Sequence, residues 1–223
     1  MRAAAHAARM GKRMLQRGAS GRALLRGRDS LFAAPGLERL LGVQTQGRVL
    51  ALCPRRAVFL ARHADGRRIV FTTRHLPCAQ GELMAMQTGV GFAARACMAF
   101  APFLPPLEWA GAPLLPAMDV CAAAQHLTEL GAQRVLIVQG RRSPRTRPDA
   151  LERTALCCMA ADESALPPGA AMLHVPLPDG VSALSLGAVN ACVEAGKKTA
   201  GQQLDCLFER MGMSFCRVIP FRR

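Results

Sequence analysis

Residues 116–140, PAMDVCAAAQHLTELGAQRVLIVQG, constrain the fold more than any other stretch of the chain. Val120, Ala123, Ala124, Leu127 and Leu130 recur at helical spacing and predict one core-facing stripe. Pro116 and Asp119 stand where a helix begins, and Gly131 stands where a helix ends in a left-handed residue. Val135, Leu136, Ile137 and Val138 then follow without interruption, a run that suits a strand covered on both faces. Gly140 is expected to end that strand, and an arginine-rich loop follows at once. The unit predicts a helix packed on a sheet, with positive charge at the end of a central strand.

Residues 56–74 predict a hairpin. AVFLARHA and RRIVFTTR flank Asp65-Gly66, a pair favoured in two-residue type I′ turns. That loop would set Leu60 opposite Phe71, Arg62 opposite Ile69 and His63 beside the turn, opposite Arg68. No carboxylate is evidently placed to orient the histidines here, so solvent-facing strand positions are expected for them. Residues 31–41 predict a short helix stopped by Gly42. The proline-rich stretch 103–116 reads as a surface loop or insertion anchored by Trp109. Residues 149–162 predict a helix with Leu151, Ala155, Leu156 and Met159 on its apolar side. Residues 171–177 predict a strand that Pro176 and Pro178 confine to an edge. Residues 181–211 read as largely helical, with a break near Gly196 or Gly201. Their expected buried positions are Val189, Val193, Leu204, Leu207, Phe208 and Met211. Gly212 would end the helix, and MSFCRVI would form a last strand.

Half of the 223 residues are hydrophobic, enough for a core and against global disorder. The length fits one domain with extensions or two small domains. Lys and Arg number 29 against 15 Asp and Glu, a net charge of +14. Such an excess favours a polyanionic partner, nucleic acid or an anionic membrane surface. The predominance of arginine suits forked contacts to phosphate, and equally the coding bias of a GC-rich genome. No run approaches the roughly 20 apolar residues of a membrane span. The nine cysteines include no Cys-x-x-Cys pair, so zinc and redox spacing is absent. Without a secretory signal, they point to a reducing compartment and to small core residues. Residues 1–28 hold eight basic side chains and no acid, the composition of an organellar transit segment. The rival reading is a basic arm lying on nucleic acid.

Residues 89–94 match Gly-x-Gly-x-x-Ala, a dinucleotide fingerprint when it joins a strand to a helix. The preceding GELMAMQT does not look strand-like, so the expected context fails, and a small α/β nucleotide-binding enzyme using Gly89 to Ala94 is kept as an alternative. No Gly-x-Ser-x-Gly, Walker loop or His-Glu-x-x-His is present, and no paired catalytic carboxylates stand out. The reading is therefore of a protein that is not an enzyme, with no cofactor, no metal and no small-molecule substrate. Aromatic residues are few and tyrosine is absent, so base stacking on an aromatic sheet is not expected. The stretch RRSPRTRP carries Arg141, Arg142, Arg145 and Arg147, suited to tracking phosphates. The other candidate RNA-binding residues are Arg55 and Arg56 at the start of the hairpin, Arg67 and Arg68 at its tip, Arg95, Lys197, Lys198, Arg222 and Arg223.

The order of predicted elements resembles that of small-subunit ribosomal protein eleven, in a divergent mitochondrial form. AVFLARHADGRRIVFTTR resembles the opening pair of strands of that family. Thr88-Gly89-Val90-Gly91-Phe92 resembles its Gly-x-x-Gly-Phe turn. Pro116 with residues 120–124, Leu130-Gly131 and the strand ending at Gly140 resembles its Thr-Pro-x-Ala-Ala helix and following strand. The match covers the middle third well and the rest loosely. Of the basic cluster that follows the family's Gly-Phe, only Arg95 is present, and the family's Gly-Pro-Gly loop is replaced by residues 141–145. The family's final Pro-Ile-Pro element corresponds either to residues 175–180 or to Val218-Ile219-Pro220. The resemblance implies an α/β fold, a layered mixed sheet with helices packed on it in ribonuclease-H-like topology. It also implies a structural, non-catalytic role on the platform of the small subunit, with small-subunit rRNA and neighbouring mitoribosomal proteins as partners. The implied location is the mitochondrial matrix, with a plastid as second choice. Large-subunit ribosomal protein eighteen has a similar core and is the nearest rival. The expected organisation is a transit segment or basic arm over residues 1–30, an extension over 31–54, an RNA-binding core over 55–180 with an insertion near 103–116, and a helix–strand tail over 181–223.

Overall fold

The hairpin around Asp65-Gly66 lies at the centre of a five-stranded sheet in the computed structural model of the chain. The structure describes residues 16–17, 32–33, 35–99, 104–117, 119–142, 165–179 and 188–212. In order these form β1 (Gln16–Arg17), β2 (Phe32–Ala33), α1 (Pro35–Thr45), a 3-10 turn (Leu50–Leu52), β3 (Val58–His63), β4 (Arg68–Thr72), β5 (Glu82–Ala85), α2 (Val90–Cys97), β6 (Leu107–Trp109), β7 (Ala112–Pro116), α3 (Val120–Glu129), β8 (Val135–Arg142), β9 (Ala170–Leu177) and α4 (Val189–Arg210). The five-stranded sheet has the order β5-β4-β3-β7-β6. Its β4–β5 pair is parallel and its other pairs are antiparallel, so the fold is mixed α/β. The expected helix over 149–162 and the final MSFCRVI strand lie outside the described residues.

The hairpin turn differs from expectation by one residue. Leu60 pairs with Val70, Ala61 with Ile69 and Arg62 with Arg68. A type I′ turn needs positive φ at both central residues, and only Gly66 of the pair has it, at 93°. The loop is therefore the three residues Ala64, Asp65 and Gly66, closed by His63 N–H to Arg67 O at 2.8 Å and Gly66 N–H to His63 O at 2.9 Å. The two-residue turn occurs instead at Ala110-Gly111, where φ is 50° and 81°. It joins β6 to β7, so residues 104–117 are largely a hairpin added to the sheet rather than a surface loop. Trp109 is its anchor as expected, meeting the Phe71 ring edge-on at 6.2 Å.

Side-chain alternation gives the sheet two packed faces. Ala61, Ile69 and Phe71 pack with Leu114 and with Ala93 and Ala96 of α2. Leu60 and Val70 pack on the opposite side with Leu76, Ala117 and with Ala122 and Leu130 around α3. Each fully covered Ile or Phe contributes about 1.5–3 kcal/mol of transfer free energy, which makes β3 and β4 the spine of a three-layer core.

α3 is capped as its sequence predicts. The Asp119 carboxylate accepts from Ala122 N–H at 2.9 Å, and Gly131 at φ 93° closes the other end. Gly131 N–H reaches Thr128 O at 2.8 Å and Ala132 N–H reaches Leu127 O at 2.9 Å, the paired bonds of a Schellman motif. Pro116, expected at the helix start, is the last residue of β7. Ala122 and His126 are buried alongside Ala124, so the covered stripe is rotated from the one the aliphatic residues suggest.

β8 is not a central strand. It pairs in parallel with β9 in a separate two-stranded sheet, and it runs through Gly140 to Arg142. Val138 is 62% exposed, so the apolar run is not covered on both faces. A β-branched run specifies an extended backbone but not the sheet that it joins. α4 packs on β9 and is unbroken at Gly196 and Gly201. Leu207 is buried in it as expected, whereas Val193 is 37% exposed and Thr199 is buried. α1 continues through Gly42 to Thr45, and packs on α2. Among the described residues no helix is long and apolar enough to cross a membrane.

Candidate nucleic-acid interface

The two ends of the five-stranded sheet differ in charge. At the hairpin tip Arg67 and Arg68 are held by acids. Arg67 Nη2 lies 2.6 Å from Asp65 Oδ2, and this pairing holds the Asp65 carboxyl well below the usual carboxylate range. His63 is buried, with Nδ1 2.9 Å from Asp65 Oδ1 and its ring edge-on to Trp109 at 6.4 Å. Its expected solvent-facing position is thereby corrected: the three-residue loop turns Asp65 back over it, and the added hairpin covers it. Arg68 donates to Glu82 Oε1 at 2.7 Å and to Asp119 Oδ2 at 2.6 Å. His126 lies between Glu82 and Glu129, with Nε2 3.3 Å from Glu82 Oε1 and Nδ1 2.8 Å from Glu129 Oε2. Burial raises the Glu82 carboxyl, but the hydrogen bonds from Arg68 and Ala79 N–H and the nearby His126 together bring it below its ordinary value.

Six further candidates fall in different settings. Arg95 is only 1% exposed, and burial lowers its pKa despite the nearby Glu38 carboxylate. Arg56 Nη1 donates to Leu130 O and satisfies the C-terminal end of α3. Lys197 pairs with Glu194 at 2.7 Å on the exposed face of α4, and Lys198 is exposed beside it. Arg141 is exposed, and Arg141 and Arg142 are strand residues opposite Pro176 and Leu177 rather than loop residues. Arg145, Arg147, Arg222 and Arg223 lie outside the described residues.

At the opposite end of the sheet the connecting segments carry arginines and no acid of their own. Leu50 N–H reaches Thr88 O at 2.9 Å, Ala51 N–H reaches Met86 O at 3.0 Å and Thr73 N–H reaches Ala57 O at 3.2 Å. Arg74 Nη1 lies 3.0 Å from Thr73 O. These bonds draw residues 48–57, 73–74 and 86–90 together, and none of the three segments contains Asp or Glu. Arg48, Arg55 and Arg74 are exposed on them. The sequence alone does not single out Arg48 or Arg74. Each stands alone in its stretch, and only backbone bonds between distant segments bring them beside Arg55. The arrangement offers guanidinium groups to an extended anion.

The Gly89 turn joins β5 directly to α2, so the segment before it is a strand after all. The short ELMA strand pairs parallel to β4, and that pairing outweighs its weak β propensity. The first turn of α2 is nevertheless taken up by the chain itself. Val90 N–H donates to Arg48 O at 2.9 Å, and a Cβ at Gly91 would lie 3.3 Å from Leu41 O. Gly91 thus serves the close approach of α1 to α2. No protein-family model matches the chain, and no curated protein matches it.

Proposed function

We propose that this chain is a structural RNA-binding protein of a mitochondrial small ribosomal subunit, with rRNA and neighbouring ribosomal proteins as partners and no reaction of its own. The observation that carries the reading is the set of acid-free segments, drawn together at one end of the sheet, that bear Arg48, Arg55 and Arg74. Guanidinium groups without competing carboxylates neutralise phosphates and release their counterions. The rigid three-layer core behind them keeps their spacing. The hairpin β3–β4, the Gly89 turn and the capped α3 are the elements by which the chain resembles small-subunit ribosomal protein eleven. The ribonuclease-H-like topology and the platform position belong to this proposal too. In it the β6–β7 hairpin is an insertion at the edge of the family core.

The test is retention of small-subunit rRNA by the full chain over a salt series. A steep loss of affinity with salt, reduced in a variant lacking the three arginines, supports the reading. Affinity and salt slope both unchanged in that variant would sink it.

A further inference from the structure

We propose that the cleft between α1 and α2 is a binding site for a small organic acid, a carboxylate or phosphate monoester with a compact apolar body, anchored by Arg95. This goes beyond the RNA-binding reading and does not depend on it. The cleft has a volume of about 310 Å³, with Gly89, Gly91, Phe92 and Leu107 among its walls. That is the size range of small-ligand pockets, which pair mostly apolar walls with a few orienting polar groups.

Arg95 lines the cleft and is 1% exposed. Its Nη2 donates to Pro105 O at 2.8 Å. Its Nε lies 3.4 Å from Glu38 Oε1, without the alignment of a hydrogen bond, and its Nη1 has no acceptor. A buried guanidinium edge without an acceptor is costly, and an incoming carboxylate or phosphate oxygen is its matching partner. Glu38 is half exposed and occupies only the Nε side. Gly42 and Gly47, also in its lining, have open space where a Cβ would stand, which leaves room in the cleft for an apolar body. An enclosed arginine among apolar walls suits a small molecule better than a polymer backbone.

The experiment is calorimetric titration of the full chain with phenyl phosphate and with benzoate, using inorganic phosphate and acetate as controls. One-to-one binding is expected, about tenfold or more tighter for the probes that bury a ring. Arg95→Met should abolish it. Glu38→Gln removes the carboxylate that competes for the guanidinium, and should tighten binding several-fold while the half-exposed position preserves packing. That variant decides the matter if Arg95→Met does not fold. No saturable binding, equal affinity for inorganic phosphate, or unchanged affinity in Glu38→Gln would each overturn the proposal. Displacement of phenyl phosphate by an RNA oligonucleotide, one for one, would assign the cleft to RNA and overturn it as well.

Discussion

Arg68 Nη1 donates to Glu82 Oε1 at 2.7 Å, and the same oxygen lies 3.3 Å from His126 Nε2. Through its other nitrogen Arg68 reaches Asp119, whose second oxygen caps α3. One arginine at the hairpin tip therefore ties β4, β5 and α3 together.

Replacing Arg68 by Ala leaves the Glu82 carboxylate, 4% exposed, without its strongest partner. Breaking such a pair from one side costs about 3 kcal/mol, read as a lower urea midpoint. The neighbouring Arg67→Ala, at an exposed pair, should leave the midpoint unchanged.

Acid should weaken the native state through the same carboxyl. Glu82 titrates below its ordinary value of 4.5 in the folded chain, so its contribution is complete above that pH. It is lost as pH falls through the folded value, because the unfolded chain then binds the proton first. Urea midpoints measured from pH 7 to pH 3 should fall below about pH 4.5, and part of that fall should vanish in Glu82→Gln.

Gly131 occupies φ 93° in the Schellman turn, with Arg56 against the place of a Cβ. Gly131→Ala should destabilise by about 1–2 kcal/mol from backbone strain, with the Arg56 contact adding to it. Thermal unfolding of the purified variant checks this.

Within α4, Gly196 and Gly201 have open space where a Cβ would stand. Alanine at either position should stabilise by about 0.5–1 kcal/mol through helix propensity, seen as a raised Tm. A drop in Tm would mean that the helix surface there is covered.

Alanine at Arg48, Arg55 and Arg74 together should weaken RNA binding and flatten its salt dependence. Each lost phosphate contact lowers the slope of log affinity against log salt by about 0.7–0.9, measured by filter binding. The Arg67→Ala control should change neither quantity, since Asp65 already neutralises that side chain.

The local patterns in the sequence were reliable where a structure is decided within a few residues. Asp119 and Gly131 mark the ends of α3, the hairpin forms around Gly66, and residues 170–177 form a strand. Trp109 anchors the proline-rich stretch. Capping bonds and side-chain periodicity span three to five positions, so the chain displays them without knowing its fold. Charge does not behave that way. Arg68 and Arg95 look like surface cations in sequence, and only the return of the chain supplies Asp119, 51 residues from Arg68, and encloses Arg95 between α1 and α2. The same holds for β8, whose apolar run fixes its extended backbone but not its neighbour. The partners of a charge and of a strand edge are set by contacts between remote segments, and those are decided only when the layers pack.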